Sequence, residues 1–269
     1  MSPKSSWSGV IENLRRAMSP RGRTQLGLVA VEGTRHLERA LRAGHPPRQL
    51  VISEKLLRQH EQRVSDLVNQ LTKSGCEIVP VPDGVMLELA EGRNSGALVG
   101  LCALPVAPTL TELASRSLAG AGPVVVLVDV EEPGNVGALC RSALAAGASG
   151  LVSVGVSDPF HPKAVRTAMG SVFKLPIARS AEVGTVVHAL ANLRRFGAVA
   201  QGGAVLWHAV LPAGCALFIG NEANGLSAQV MDGLDQGLTV PMREGVDSFS
   251  VNAAAAIILY EMARQRATG

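Results

Sequence analysis

Three turns in the second half of the chain place polar side chains directly after apolar runs. The first turn carries Asn135, and Arg141 follows six residues later. The second carries Glu222 after the run CALFIG, and the third carries Ser248 just before the last apolar segment. A guanidinium binds phosphate through its planar fork of donors, and a carboxylate or hydroxyl at a turn either caps a helix or takes part in chemistry. These turns therefore hold the candidate site.

The first turn lacks the sequence of either common nucleotide-binding loop. A dinucleotide-binding turn needs G-x-G-x-x-G, and a P-loop needs Gly-Lys followed by Ser or Thr. The chain instead reads Gly134-Asn135-Val136-Gly137. A dinucleotide site and a P-loop are both excluded here, and a polar turn with an arginine inside the following helix remains to be explained.

The apolar runs around these turns predict a parallel sheet with helices on both faces. The runs are continuous rather than alternating, and helical stretches separate them: PVVVLVDV, GLVSVGV, GAVAQGG, ALFIG and LTVPM. Continuous apolar strands are typical of parallel sheets that are buried on both sides. Ligands of such sheets bind beyond the carboxyl ends of the strands, where the three turns lie.

The first half of the chain predicts a smaller α/β unit. We expect a basic, flexible arm with one short helix over residues 1–25, followed by the unit itself over 26–105. A helix is expected over 54–75 within it. Residues 106–122 gather Pro, Ser, Gly and Ala and are expected to form a linker. The larger α/β domain then occupies 123–269.

Composition narrows the class of protein. The chain has 269 residues, of which 47% are apolar, so it can bury a sizeable core. No apolar stretch reaches the ~18 residues of a membrane span, and arginines interrupt the N-terminus, so neither membrane insertion nor secretion is expected. The four cysteines are scattered without a C-x-x-C pair or a nearby His cluster. We expect reduced thiols, no metal site and a cytoplasmic location.

The charge is unevenly distributed. Residues 1–118 carry 15 Lys and Arg against 11 Asp and Glu, a net +4, whereas residues 119–269 carry 10 against 11, a net −1. Arginine supplies 12 of the 15 basic residues in the first part. This excess favours contact with nucleic acid, although a solvated basic surface would look the same.

Together, the segments NVGALCR, IGNEANGLS and VPMREGVDSFSVNAAAAIILYE resemble, in order and spacing, the three motifs of the SpoU (TrmH-type) RNA ribose 2′-O-methyltransferases of the SPOUT superfamily. The segment PKAVRTAMGSVFKLP is similar to the family's stretch between its first two motifs. Residues from LVAVEGTRHLERALRAG to GALVGLCALP resemble its substrate-binding domain, which folds like ribosomal protein L30e. The resemblance spans roughly residues 24–265.

The resemblance implies a trefoil-knotted C-terminal domain that binds S-adenosylmethionine mainly through backbone groups. It implies a homodimer in which the second subunit completes the active site. By motif position, the cofactor-binding residues are expected to be Leu217, Phe218, Ile219, Gly220, Asn221, Val240, Met242 and Phe249.

The resemblance also implies a set of catalytic residues: Arg141, Asn135, Glu222, Ser248, Ser250 and Asn252. Because a guanidinium stays protonated in proteins and is a poor base, we expect Arg141 to hold phosphate and stabilise charge. Asn135 is expected to orient Arg141 or the nucleotide, and Glu222 to pair with a basic group. The third motif departs from the family's usual Ser-Leu-Asn-Val-Ser or Ala, since an asparagine stands at position 252 rather than 250. Ala168 also replaces a common serine.

The function expected from this resemblance is methylation of a ribose 2′-hydroxyl in structured RNA. The front domain favours 23S ribosomal RNA, in housekeeping or antibiotic resistance. A tRNA enzyme and a catalytically impaired RNA-binding protein of the same fold are the alternatives. RNA contacts are expected from five arginines: Arg21, Arg23, Arg35, Arg93 and Arg166.

Overall fold

The computed structural model describes residues 7–90 and 97–268, which divide into two compact units. Unit 1 takes in the chain up to Pro105 together with Phe160–Phe173. Unit 2 takes in Val106–Pro159 and the chain from Lys174 onward.

Unit 2 is built on a seven-stranded sheet. Its strands are β5 (Val124–Val128), β6 (Gly150–Val154), β7 (Ile177–Ser180), β8 (Arg194–Ala198), β9 (Ala204–Val205), β10 (Cys215–Ile219) and β11 (Gln236–Thr239). The order is β7-β6-β5-β10-β8-β11-β9, and the neighbouring pairs run parallel. The predicted parallel sheet is confirmed. β10, late in the sequence, lies between β5 and β8.

Helices cover both faces of this sheet. They are α7 (Leu110–Arg116), α8 (Pro133–Ala145), α10 (Val183–Ala189), α11 (Ala228–Asp232) and α12 (Val251–Thr268). One face of β5 packs with buried residues of α7, α10 and α11 in a single apolar cluster. The alternate β5 side chains, Val125 and Leu127, are buried too, and α8 and α12 pack against each other. Because both faces are covered, β5, β6 and β10 are buried along their whole length.

Residues 106–122, expected to be a linker, fold as part of unit 2. Thr109 caps α7 in a reciprocal arrangement with Glu112, and Ser117–Ala121 form a π-helical turn. Leu113 is fully buried in the apolar cluster under the sheet. A Thr-x-x-Glu capping box explains why a Ser- and Gly-rich segment forms a helix here.

Unit 1 contains a four-stranded sheet in the order β1-β4-β2-β3. The strands are β1 (Leu28–Glu32), β2 (Pro47–Ser53), β3 (Glu77–Val81) and β4 (Leu98–Ala103). β4 runs antiparallel to β1 and β2, and β2 runs parallel to β3. Its helices are α1 (Ser8–Ala17), α2 (Pro20–Leu26), α3 (Thr34–Arg42), α4 (Glu54–Arg58), α5 (Gln62–Lys73), α6 (Asp83–Ala90) and α9 (Pro162–Ala168).

Residues 7–26 form two packed helices, where a flexible arm with one short helix was expected. Leu14 of α1 is fully buried in the apolar cluster that includes strands of unit 1. Arg23 of α2 is only 1% exposed, and its guanidinium donates to the backbone oxygens of Ala17 and Met18. These bonds satisfy carbonyls at the end of α1, which otherwise lack partners.

The helix expected over residues 54–75 is interrupted, and this prediction is wrong at its centre. α4 ends at Arg58 and α5 begins at Gln62. His60 between them has a φ of 49°, in the left-handed region. That backbone conformation cannot continue a right-handed helix.

Burial keeps the cysteines as thiols. All four are free and buried. Burial raises the pKa of Cys140 and of Cys215 to about 12. Neither is a reactive thiolate near neutral pH. Among the described residues, no helix is both long and apolar enough to cross a membrane.

Leu14→Ala tests whether α1 belongs to the core. Removal of a fully buried leucine should lower the free energy of unfolding of unit 1 by about 2–5 kcal/mol. Glu12→Ala, exposed on the same helix, should change it by less than about 0.5 kcal/mol. The chain has two tryptophans, so urea unfolding followed by Trp7 emission in a Trp207→Phe background reports on unit 1. Equal effects of the two substitutions would mean that α1 does not stabilise the unit.

Candidate functional site

A cavity of about 370 Å³ opens at the carboxyl ends of β8, β10 and β11. Three segments that follow these strands and the first turns of α12 form its walls. The lining residues are Ala198, Val199, Ala200, Ile219, Gly220, Asn221, Glu222, Ala223, Asn224, Gly225, Leu226, Val240, Met242, Ser248, Phe249, Val251, Ala254 and Ile258. The walls are therefore mostly apolar side chains and backbone, with few polar side chains.

Gly220 allows the second segment to fold closely on itself. A Cβ at Gly220 would overlap the backbone of Gly225 and Leu226. The bridge between Asn221 and Gly225 closes the turn, with N–O distances of 3.1 and 2.9 Å. Only glycine fits where two backbone segments approach this closely.

The Asn221 side chain ties this turn to the loop after β5. Its Nδ2 donates to the Asp129 backbone oxygen at 3.1 Å and to the Glu131 carboxylate at 3.0 Å. Its Oδ1 accepts from the backbone N–H groups of Ala223 and Asn224 at 2.9 and 3.2 Å. Asn221 therefore fixes the turn as well as lining the cavity.

Three residues of the loop after β5 determine where α8 begins. Asp129 takes a φ of 51°, which turns the chain out of β5. Glu132 then caps α8, because its carboxylate accepts from the N–H of Gly134 at 2.8 Å. Pro133 occupies the first helical position, where its missing N–H costs nothing. These features place Asn135 in the first turn of α8.

Glu222 joins the cavity to α8. Its carboxylate accepts from the backbone N–H groups of Glu131 and Glu132 at 3.1 and 3.2 Å, and from Asn135 Nδ2 at 2.9 Å. We expected a basic partner for Glu222. In the described part of the chain its recorded partners are instead uncharged donors, so that expectation is corrected.

The pKa of Glu222 reflects two opposing causes. Burial raises it, but the bonds from the Asn135 side chain, its own backbone N–H and those of Glu131 and Glu132 outweigh the burial, and the net shift is downward. Glu222 is therefore a carboxylate near neutral pH. As such it only accepts hydrogen bonds.

The first turn of α12 reaches α8 through Asn252. Asn252 Nδ2 donates to Asn135 Oδ1 at 2.6 Å. Ser250, at the position where the resemblance implies an asparagine, instead caps its own helix, since Ala253 N donates to its Oγ at 3.4 Å. Ser248 lines the cavity. Glu222, Asn135 and Asn252 thus form one connected polar group, called here the amide–carboxylate chain.

Arg141 lies two turns along α8, on an exposed face.

Of the predicted cofactor residues, six line the cavity: Ile219, Gly220, Asn221, Val240, Met242 and Phe249. Leu217 and Phe218 are buried in β10 and do not line it. Sequence reasoning missed the segment Ala198–Ala200, whose only signal was its position after an apolar strand and before two glycines.

The predicted RNA-binding arginines lie in unit 1. Arg21 and Arg35 are exposed. Arg166 on α9 is 41% exposed at its side chain and lies 3.6 Å from the Glu32 carboxylate. Arg23 is a correction, because its side chain is buried. Arg93 lies outside the described residues.

Residues 122–260, just over half of the chain, match the model of the SpoU rRNA Methylase family. The chain belongs to the SpoU family. Residues 10–100 match an MRM3-like substrate binding domain. The matched range includes the three segments that resemble SpoU motifs, and these segments carry Asn135, Glu222 and Asn252.

Two curated relatives of this SpoU protein cover nearly its whole length. It is 26% identical to the 23S rRNA (guanosine(2553)-2′-O)-methyltransferase RlmP of Bacillus subtilis, over 94% of this chain and 95% of the relative. It is 29% identical to a 23S rRNA (uridine(2479)-2′-O)-methyltransferase of Streptomyces viridochromogenes, over 98% and 90%.

Solved methyltransferase structures show the same fold. The AdoMet complex of the SpoU methyltransferase AviRb from Streptomyces viridochromogenes aligns with a TM-score of 0.84 at 27% identity, covering 97% of this chain and 99% of that one. The AdoMet-bound rRNA methyltransferase from Sinorhizobium meliloti aligns with a TM-score of 0.79 at 25% identity, covering 97% and 96%.

Glu222→Gln tests how much the Glu222 carboxylate contributes to the free energy of unfolding. A carboxyl whose folded pKa is lowered stabilises the fold above its unfolded pKa, about 4.3, and the contribution disappears as pH falls through the folded value. Allowing for solvent screening of an exposed group, Gln should lower the free energy of unfolding by about 1 kcal/mol at pH 7. Urea unfolding at several pH values should show that the difference in free energy of unfolding between wild type and Glu222→Gln becomes smaller below pH ~4. A difference independent of pH would contradict this assignment.

Proposed function

We propose that this protein transfers a methyl group from S-adenosylmethionine to a ribose 2′-hydroxyl of structured RNA, with 23S ribosomal RNA as substrate. The observation that carries the proposal is the amide–carboxylate chain beside the 370 Å³ cavity. Membership of the SpoU family and two relatives named as 23S rRNA 2′-O-methyltransferases support it.

The cavity fits a cofactor held by backbone and apolar contacts. Its volume lies within the range of small-molecule sites, about 300–1,000 Å³. The apolar side chains of Ile219, Val240 and Phe249 would hold an aromatic base, and the backbone around Gly220 would supply hydrogen bonds. When bound, S-adenosylmethionine supplies a methyl group already activated by its sulfonium. The chain's own contribution is then alignment of the acceptor and control of charge.

Arg141 and its neighbours act on the RNA side. The exposed guanidinium of Arg141 binds the phosphate next to the target ribose and stabilises charge that develops at the 2′-oxygen. It does not take the proton, since a guanidinium in a protein is already fully protonated and has no acceptor site. Asn135 and Glu222 hold the first turns of α8, and with it Arg141, in place.

Unit 1 binds the RNA. Its match to a substrate binding domain and its exposed arginines support this role. Arg21, Arg35 and Arg166 are assigned to phosphate contacts, and the same role for Arg93 stays a prediction. Binding through arginines and phosphates weakens steeply with salt, and unstacked loop nucleotides are the usual targets of sequence-specific RNA recognition.

A trefoil knot accounts for the sheet order of unit 2. β10 lies between β5 and β8, both earlier in the sequence, and the cavity is lined by segments after β8, β10 and β11. A late strand between two earlier ones agrees with a knotted chain, although unknotted α/β sheets contain such insertions too. Knots are rare exceptions among protein folds.

A homodimer working in the cytoplasm, where ribosomes are found, completes the proposal. Tyr260 on α12 is 71% exposed, and Trp207 is 65% exposed. Large exposed apolar side chains are typical of protein–protein contact surfaces. One chain has a mass of 27.9 kDa. Light scattering should give twice that mass. A single-chain mass at micromolar concentration would remove the dimer from the proposal.

Tritiated methyl transfer to unmodified 23S, 16S and transfer RNA tests the reaction. Label should enter 23S RNA at one linkage that becomes resistant to alkali. Arg141→Ala should lower kcat by about 10²–10³-fold, as loss of a charge-stabilising donor does. Arg141→Lys should restore only part of the rate, because an ammonium lacks the planar fork.

The matched control is Arg116→Ala, an exposed arginine on α7 at the opposite face of the sheet. It should retain full activity. Label in transfer RNA would move the substrate to that class. Absence of label from every RNA, with cofactor still bound, would overturn the proposed activity.

Gly220→Ala tests the cofactor site alone. Its Cβ would displace the backbone at Gly225 and narrow the cavity, so affinity for S-adenosylmethionine should fall by at least about tenfold, or ~1.4 kcal/mol. Gly184→Ala is the control, since a Cβ there meets nothing within 4 Å. Calorimetry should separate the two variants. Equal affinities would place the cofactor elsewhere.

A further inference from the structure

The amide–carboxylate chain has a fixed direction of donation. Glu222, as a carboxylate, can only accept, so Asn135 must turn its Nδ2 toward it. Asn135 then presents Oδ1 in the other direction, and Asn252 Nδ2 meets that oxygen at 2.6 Å. Asn135 can donate to Glu222 in only one orientation of its amide. In that orientation its Oδ1 accepts from Asn252.

Ser250 cannot supply this contact in the present structure. Its Oγ accepts from Ala253 N and its backbone oxygen from Ala254 N at 3.0 Å, so it serves the start of α12. Asn252 lies two residues further, inside the first turn. The helix therefore presents its amide to α8 from position 252.

We propose that Asn252 is a positioning residue, which locks the Asn135 amide toward Glu222 and thereby sets the start of α8 and the place of Arg141. The catalytic consequence rests on the proposed function, whereas the lock itself does not. Asn252 does not line the cavity, and its side chain bonds to Asn135, so it acts through Asn135.

The far end of α8 is held separately. Arg266 of α12 donates through Nη2 to the Ala146 backbone oxygen at 2.8 Å, at the carboxyl end of α8. Loss of the Asn252 contact therefore acts on the end that carries Asn135, where the backbone bonds to Glu222 and the Glu132 cap remain. We expect variants of Asn252 to stay folded.

The residues of α12 that line the cavity do not include Asn252. Val251, Ala254 and Ile258 line the cavity, and Asn252 does not. A change at Asn252 should thus alter turnover and leave the cofactor's KM almost unchanged.

The surroundings of Glu222 define what a titration will report. The loop that packs against it carries the carboxylates of Asp129, Glu131 and Glu132, and α8 contributes the neutral amide of Asn135. After burial, which raises the pKa of Glu222, the Asn135 bond is the largest cause acting on it and lowers it. Rotation of Asn135 would remove that donor and raise the pKa.

Asn252→Asp is the decisive variant, because it keeps the shape and reverses the hydrogen bond. An aspartate can only accept, so Asn135 must rotate its Nδ2 toward position 252 and its Oδ1 toward Glu222. The pKa of Glu222, followed by carbon-13 NMR of the full-length protein without RNA and assigned with Glu222→Gln, should rise. Asn252→Ala removes the donor to Asn135 Oδ1 and adds no charge, so it should raise the pKa of Glu222 less than Asn252→Asp does.

Ala256→Asp is the matched control, since it adds the same charge at an exposed position one turn further along α12. It should move the Glu222 titration less than Asn252→Asp does. In the methyl transfer assay, Asn252→Asp should lower kcat by about 10- to 100-fold, with the cofactor's KM within about twofold of wild type.

Because Asn252→Ala adds no charge, a Glu222 titration in Asn252→Ala equal to that of wild type would overturn the lock. An unchanged kcat in Asn252→Asp would overturn its positioning role. Wild-type protein without activity on any RNA would instead overturn the proposed function, and the titration would still decide the lock.

Discussion

The carboxylate of Glu222 is the interaction on which the site depends. It stands on the turn after β10, yet its three donors from other segments all belong to the loop and first turn of α8. Because a carboxylate accepts several bonds at once, one side chain fixes the start of a helix at the carboxyl ends of the central strands. The position of Arg141 follows from this contact, since it lies on the same rigid helix.

Much of the fold could be predicted because burial leaves a direct trace in sequence. Strands such as Val124–Val128 are apolar throughout, which only a sheet covered on both faces requires. Other features have no such trace. The left-handed residue His60 breaks a helix that periodicity continues, and Arg23 satisfies backbone oxygens inside unit 1 although its charge suggests a surface.

The candidate site could be predicted in part for a related reason. Gly220 and Glu222 are unusual residues after a buried strand, so they stand out. Ala198–Ala200 contribute to the cavity wall without any unusual side chain, and sequence cannot distinguish them from ordinary loop residues. The direction of an amide is also invisible in sequence, because the same asparagine donates or accepts according to its neighbours.

The first turn of α12 connects the two halves of the site. Consecutive helical residues point about 100° apart, so Val251 faces the cavity and Asn252 faces α8. A change that moves the backbone of this turn must therefore alter the cavity and α8 together. A change confined to the Asn252 side chain acts on Asn135 of α8 and, through it, on Glu222. This geometry explains how adjacent residues of the same turn can line the cavity and hold α8.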